Sequence, residues 1–136
     1  MRTRSAEPLH GGFILMELPI VVVIIGLLAS IAIPKFSSVR EKPYVAAVTS
    51  DLKLLANQME IYQSQNQSYP NNVSLLVDFT ASDGVTLTIN EANLGQGWAA
   101  TGFHSAVLGR QCGIYNGNGT SANATPATSP GVVTCN

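Results

Sequence analysis

The chain has 136 residues, 46% hydrophobic and only 11% charged, with a formal net charge of -1. That length allows one domain and a small soluble core, and the shortage of charge, against about a quarter in ordinary soluble proteins, requires apolar residues to be concentrated somewhere. No basic surplus indicates nucleic acid as a partner.

The first twelve residues form a charged leader containing Arg2, Arg4 and Glu7 and ending in Gly11-Gly12. Phe13 to Ile33 then reads FILMELPIVVVIIGLLASIAI, in which Glu17 is the only ionisable side chain. A helix of this length covers about 31 Å, matching a hydrocarbon core of about 30 Å. A buried core helix is the alternative, but nothing else in so small a chain is large enough to surround it, so the stretch is expected to span a membrane. Ordinary secretory signals are cut after their apolar stretch. Here the small-residue site precedes it, so cleavage leaves the anchor on the mature protein. Arg2 and Arg4 on one side and Lys35, Arg40 and Lys42 on the other leave the positive-inside rule indecisive.

Glu17 is the most informative residue of this stretch. An ionised carboxylate in a bilayer costs about 2.5 to 3.5 kcal/mol even on a lenient scale, so it needs a partner or must snorkel to the interface. The nearest partner is the amine that cleavage before Phe13 would create, about one turn away in the same helix. If subunits stack with an axial offset of about one turn, the amine of one copy instead meets Glu17 of its neighbour, in a low-dielectric core that makes either group costly alone.

Gly26 and Pro34 mark the apolar half-helix as a candidate for local unwinding, because Pro34 deprives Ser30 of a carbonyl partner. Pro19 is expected to kink the helix slightly, and Pro43 to begin or bend its second half. Val45, Val48, Leu52, Leu55, Met59 and Tyr62 recur at spacings of three and four and form one apolar stripe. Asp51, Lys53, Asn57, Gln58 and Glu60 fall off it, so this half is amphipathic. The polar run from Gln63 to Asn72 ends the helix. Val85, Leu87 and Ile89 alternate with Thr86 and Thr88 as a half-buried strand; further strand candidates are 98–107, 111–115 and 132–135, giving an antiparallel sheet laid over the helix. Asn116 to Gly131 reads as a surface loop.

Cys112 and Cys135 are expected to form a disulfide closing that loop, which places the C-terminal part in an oxidising compartment outside the cytoplasm and settles the orientation. Two free thiols or half a zinc site are the competing readings, without a CxxC to favour them. No catalytic, cofactor-binding or metal set is expected. Gly95-Gln96-Gly97 and Gly117-Asn118-Gly119 read as turns, and His104 lacks ligand spacing. The sequons at Asn66, Asn72, Asn118 and Asn123 are expected by chance in so Asn- and Thr-rich a chain.

Gly12-Phe13, Glu17, the VVVIIG run and Pro34-Lys35-Phe36 together resemble the processing segment of type IV pilins and type II secretion pseudopilins. The resemblance covers about residues 11 to 45; Pro19, Met16 and Pro43 depart from it without touching Gly12, Phe13 or Glu17. It implies an α+β fold, a long N-terminal helix packed on a small antiparallel sheet. It divides the chain into a cleaved prepilin leader (1–12), a membrane-spanning polymerisation half-helix (13–34), an amphipathic half-helix (35–68) and a β-sheet region with a C-terminal disulfide loop (69–136). Cleavage between Gly12 and Phe13 by a prepilin peptidase, methylation of Phe13 and a role for Glu17 in assembly follow from the same likeness. So do a homopolymer formed through the N-terminal helix, a pilus assembly machinery as partner, and passage from the inner membrane to a surface filament. The expected function is a pilin serving adhesion, motility or DNA uptake. A periplasmic pseudopilin is the alternative, and a monomeric membrane-anchored binding module stands behind both. Major pseudopilins of this kind typically hold calcium in a C-terminal loop, whereas residues 92–136 contain no Asp or Glu.

Overall fold

The computed structural model describes residues 11–136, residues 33–38 by backbone alone. Its elements are one long helix, α1 (Glu17–Asn66), and four strands, β1 (Val85–Asn93), β2 (Gly97–His104), β3 (Cys112–Gly117) and β4 (Thr134–Cys135). The strands form one antiparallel meander in the order β1-β2-β3-β4. This is the expected α+β, pilin-like arrangement. The chain divides into two compact units, the boundary lying between Ser38 and Val39.

In the first unit the helix starts later than the apolar run does. Residues 11–14 have no regular structure, a turn follows, and Glu17 opens α1. Pro19 accounts for this: as the third helical residue it lacks an N–H where none has an intrahelical partner, so the first turn accommodates it. Every large apolar side chain named between Phe13 and Ile31 is at least 45% exposed. A helix apolar on all sides and uncovered by its own protein needs an apolar surrounding. Among the described residues no helix is long and apolar enough to cross a membrane. From Glu17 to Ala32, where described side chains stop, α1 rises only about 24 Å.

The second unit, Val39–Asn136, holds the core. Val48, Leu52, Leu55 and Met59 face Ile89, Trp98, Ala100, Cys112 and Ile114, with Val45 and Tyr62 partly buried at the margins. The stripe read from periodicity is therefore the packing face. Full burial of Leu52, Leu55 and Met59 stabilises by roughly 1.5 to 3 kcal/mol each. That packing holds α1 helical through Pro43, which neither begins nor interrupts it. The carbonyl left without a donor belongs to Val39, which is 60% exposed and open to water. The helix ends at Asn66 because Gln67 turns left-handed, φ 56°, and its N–H bonds the Gln63 carbonyl at 2.7 Å.

The strands lie close to the expected places, and the tail differs from its reading. Residues 116–131 contain a short 3₁₀ turn, Ser121–Ala124, and lie against the sheet rather than only looping over the surface. Ala124 and Ala127 are buried with Ala99 in a second cluster. Trp98 and Ala100 point to the helix while Ala99 points to this cover, which is why β2 is buried from Gly97 through Ala100. Only Gly113 permits the approach, since a Cβ there would overlap the Ala124 carbonyl oxygen.

Candidate functional site

Two places combine exposure, charge and a defined local geometry: the segment entering α1, and the tail held over the sheet.

At the entry, Gly12 and Phe13 lie in irregular, exposed backbone, with Phe13 86% exposed. Among the described residues, no atom beyond its chain neighbours lies within 4 Å of where a Cβ on Gly12 would stand. The peptide between them is therefore accessible, as a peptidase requires, and is not locked in helical hydrogen bonds. The Glu17 N–H donates to the Ile14 carbonyl at 2.9 Å, closing the turn that feeds the helix. Phe13 and Glu17 thus straddle a turn instead of sharing one helix, contrary to the sequence expectation. Glu17 is exposed in the first turn of α1, where the helix N-terminus favours a negative charge. The only ion pair among the described residues is Arg110–Glu41. Gly26 and Pro34 both fall within α1; a Cβ on Gly26 would meet open space. Ser30 Oγ donates to the Leu27 carbonyl at 2.7 Å.

In the tail, Cys112 and Cys135 are disulfide-bonded, 23 residues apart, at directly paired positions of β3 and β4. The second fastening was not read from the sequence. Between Ile89 and Glu91 the register of β1 slips by one residue. A strand without that bulge would send Glu91 to the same face as Ile89, into the core; the extra residue re-aims it at the tail. There one Glu91 oxygen accepts from the Thr120 N–H and hydroxyl, both at 2.8 Å, and from the Asn123 amide at 3.0 Å. The other oxygen accepts from the Asn93 amide at 2.6 Å. These bonds hold the Glu91 carboxyl down at about 2, below its ordinary 4.5, the Asn123 amide contributing most, then the Thr120 N–H, the Thr120 hydroxyl and Asn93, while burial pushes weakly the other way. Asn90, the bulged residue, adds bonds to Thr101 Oγ1 and the Asn123 carbonyl, both at 2.8 Å.

Two further acids left off the apolar stripe turn out to hold the unit together. Asp51 is 3% exposed and accepts from the Ser82 N–H at 2.7 Å and its hydroxyl at 2.9 Å. Glu60 accepts from the buried Trp98 indole at 3.3 Å and from Tyr69 and Asn116. The Tyr69 phenol is raised by its own burial, then by the charge of Glu60 and the bond to it. His104 packs on Tyr44, ring centroids 4.4 Å apart. A signal for Glu91 did exist in the sequence: it is the last acid before a long tail of amides and hydroxyls.

No family model matches the chain. It is similar to the type II secretion system core protein G of Aeromonas hydrophila, 37% identical over 61 residues, 45% of this chain and 43% of that one. The Escherichia coli protein of the same name is 39% identical over 59 residues, 43% of this chain and 41% of that one. The chain thus spans less than half the length of these secretion-system relatives. A type IV wide pilus major component of Thermus thermophilus is 28% identical over 126 residues, 88% of this chain and 96% of that one.

Proposed function

This chain belongs to the type IV pilin and type II secretion pseudopilin family, and we propose on that footing that it is the precursor of a pilin, a structural subunit and not an enzyme. In this reading the inner membrane holds the precursor by the Phe13–Ile33 stretch, a prepilin peptidase cuts between Gly12 and Phe13, and Phe13 is methylated. The assembly machinery then packs the helices of successive copies into a surface filament.

One observation carries the proposal: an apolar helical segment exposed all round, with Glu17 as its single ionisable residue. Lipid satisfies its apolar faces before assembly, and sister helices satisfy them afterwards. A lone carboxylate satisfies neither surrounding unless a cation arrives, and the new amine at Phe13 of an incoming copy is the one that polymerisation supplies. The amine belongs to a short irregular lead-in, which gives it reach toward a neighbouring Glu17. Gly26 and Pro34 are proposed to let the helix loosen during this rearrangement.

The pseudopilin reading is favoured by the higher identity of the shorter matches. Two things support the pilin reading against it: the pilus relative is similar over nearly its full length, and the tail is held by the Cys112–Cys135 bond and by Glu91. Around Glu91 the converging groups are the Thr120 N–H and hydroxyl and the Asn93 and Asn123 amides, with no second carboxylate among them, whereas calcium sites normally draw on several. The test is to shear cells, collect thin filaments and determine the mass of the subunit in them. A chain beginning at methylated Phe13 is expected; a membrane-held chain that keeps Met1 through Gly12 overturns the reading. Glu17→Ala is expected to abolish or derange filaments while the chain stays anchored, and normal filaments from that variant would remove the proposed role of Glu17.

A further inference from the structure

We propose that the Val39–Asn136 unit carries complementary patches at its two ends, and that the exposed tip at Leu108 of one copy seats in a groove beside Val77 of the next. The inference rests on the filament reading above and names the contact by which the globular parts would join.

The groove has a volume of about 240 Å³; Ile61, Leu75, Leu76 and Val77 form its aliphatic part, and Gln58, Tyr62, Gln65, Asn66 and Asp78 complete its lining. Val77 is 93% exposed, Ile61 48% and Leu75 45%. The tip is equally uncovered: Leu108 is 89% exposed and stands beside the half-exposed Phe103 and Arg110. Exposed aliphatic side chains set among amides and single charges have the composition of a contact centre with a polar rim.

Position selects the occupant. The groove abuts the last turns of α1, Gln58 to Asn66. The tip neighbours Arg110, whose guanidinium reaches Glu41 at 3.3 Å. From Glu41 to Ile61 the helix rises about 30 Å, so the two patches cannot cover each other within one copy. They join copies head to tail, and a head-to-tail contact that does not close into a ring repeats as a fibre. Charge agrees. Of the unit's cations Arg40, Lys42, Lys53 and Arg110, all but Lys53 lie at the tip's end, where Glu41 offsets Arg110 and Arg40 and Lys42 set the sign. The last turn of α1 has none, and the groove presents Asp78. A second copy is therefore the partner whose tip offers this groove an aliphatic side chain and the opposite sign of charge.

The experiment measures the yield of sheared filaments from cells making the full chain. Leu108→Asp brings a carboxylate against Asp78 and is expected to lower the yield roughly tenfold or more. Adding Asp78→Lys to that variant is expected to restore most of it, and Val77→Asp is expected to cause the same loss from the groove's side. Val132→Asp, a substitution at an exposed tail position, serves as the control that leaves the yield unchanged. A closed Cys112–Cys135 bond in the membrane-held variants shows that they fold. Undiminished filaments from Leu108→Asp, or no recovery on adding Asp78→Lys, overturn the docking. An unmodified chain that makes no filaments overturns the filament reading instead.

Discussion

Glu91 fastens a tail that has no acid of its own, and its four hydrogen bonds make the fastening pH-dependent in a stated direction. Because the folded carboxyl lies at about 2 and the free one at 4.5, the unfolded chain binds more protons between those values. Its contribution is fully present above about pH 4.5 and is lost as pH falls through about 2. Urea titrations of the full chain in detergent are expected to show the midpoint falling across that window, and Glu91→Gln to flatten the fall. An unchanged acid profile in Glu91→Gln would mean that Glu91 does not hold the tail. Periodicity could not place Glu91, Asp51 or Glu60, because it sorts residues by phase and all three act through specific partners distant in sequence. At the entry to α1, Glu17 was visible from its charge alone, whereas the turn separating it from Phe13 depends on Pro19 setting where the helix begins.

Among the elements, the second half of α1 was legible because its inward face recurs every three or four residues and meets one continuous partner. β1 was legible up to Ile89, where alternation is clean, and then lost phase at the bulge. β2 was expected at 98–107 and runs from Gly97 to His104; alternation did not mark it, because both of its faces are covered and Trp98, Ala99 and Ala100 form a buried run. Its second cover is built from small residues, and it approaches closely only where β3 presents no side chain. Gly113→Ala is therefore expected to lift the Ala124 turn from the sheet and to lower stability by about 1 to 3 kcal/mol, the usual cost of overpacking. A shifted urea midpoint together with faster amide exchange near Ala124 would confirm this, and wild-type values would contradict it.

For the molecule as a whole, composition announced an apolar concentration and two late cysteines, and both organise the chain. Replacing Cys112 and Cys135 together by Ser frees a 23-residue separation and is expected to cost about 3 kcal/mol in the chain-entropy model. Calorimetry of the oxidised and substituted chains measures it; equal stability would leave Glu91 as the tail's principal fastening. The helix-facing seam of the sheet and its outer veneer are built from different residues of the same strands. Thr128 to Gly131, on the veneer, are exposed, so substitutions there change the outer surface without disturbing the Trp98 seam. Variation can in this way accumulate on the covering layer while the packing that folds the unit stays unaltered.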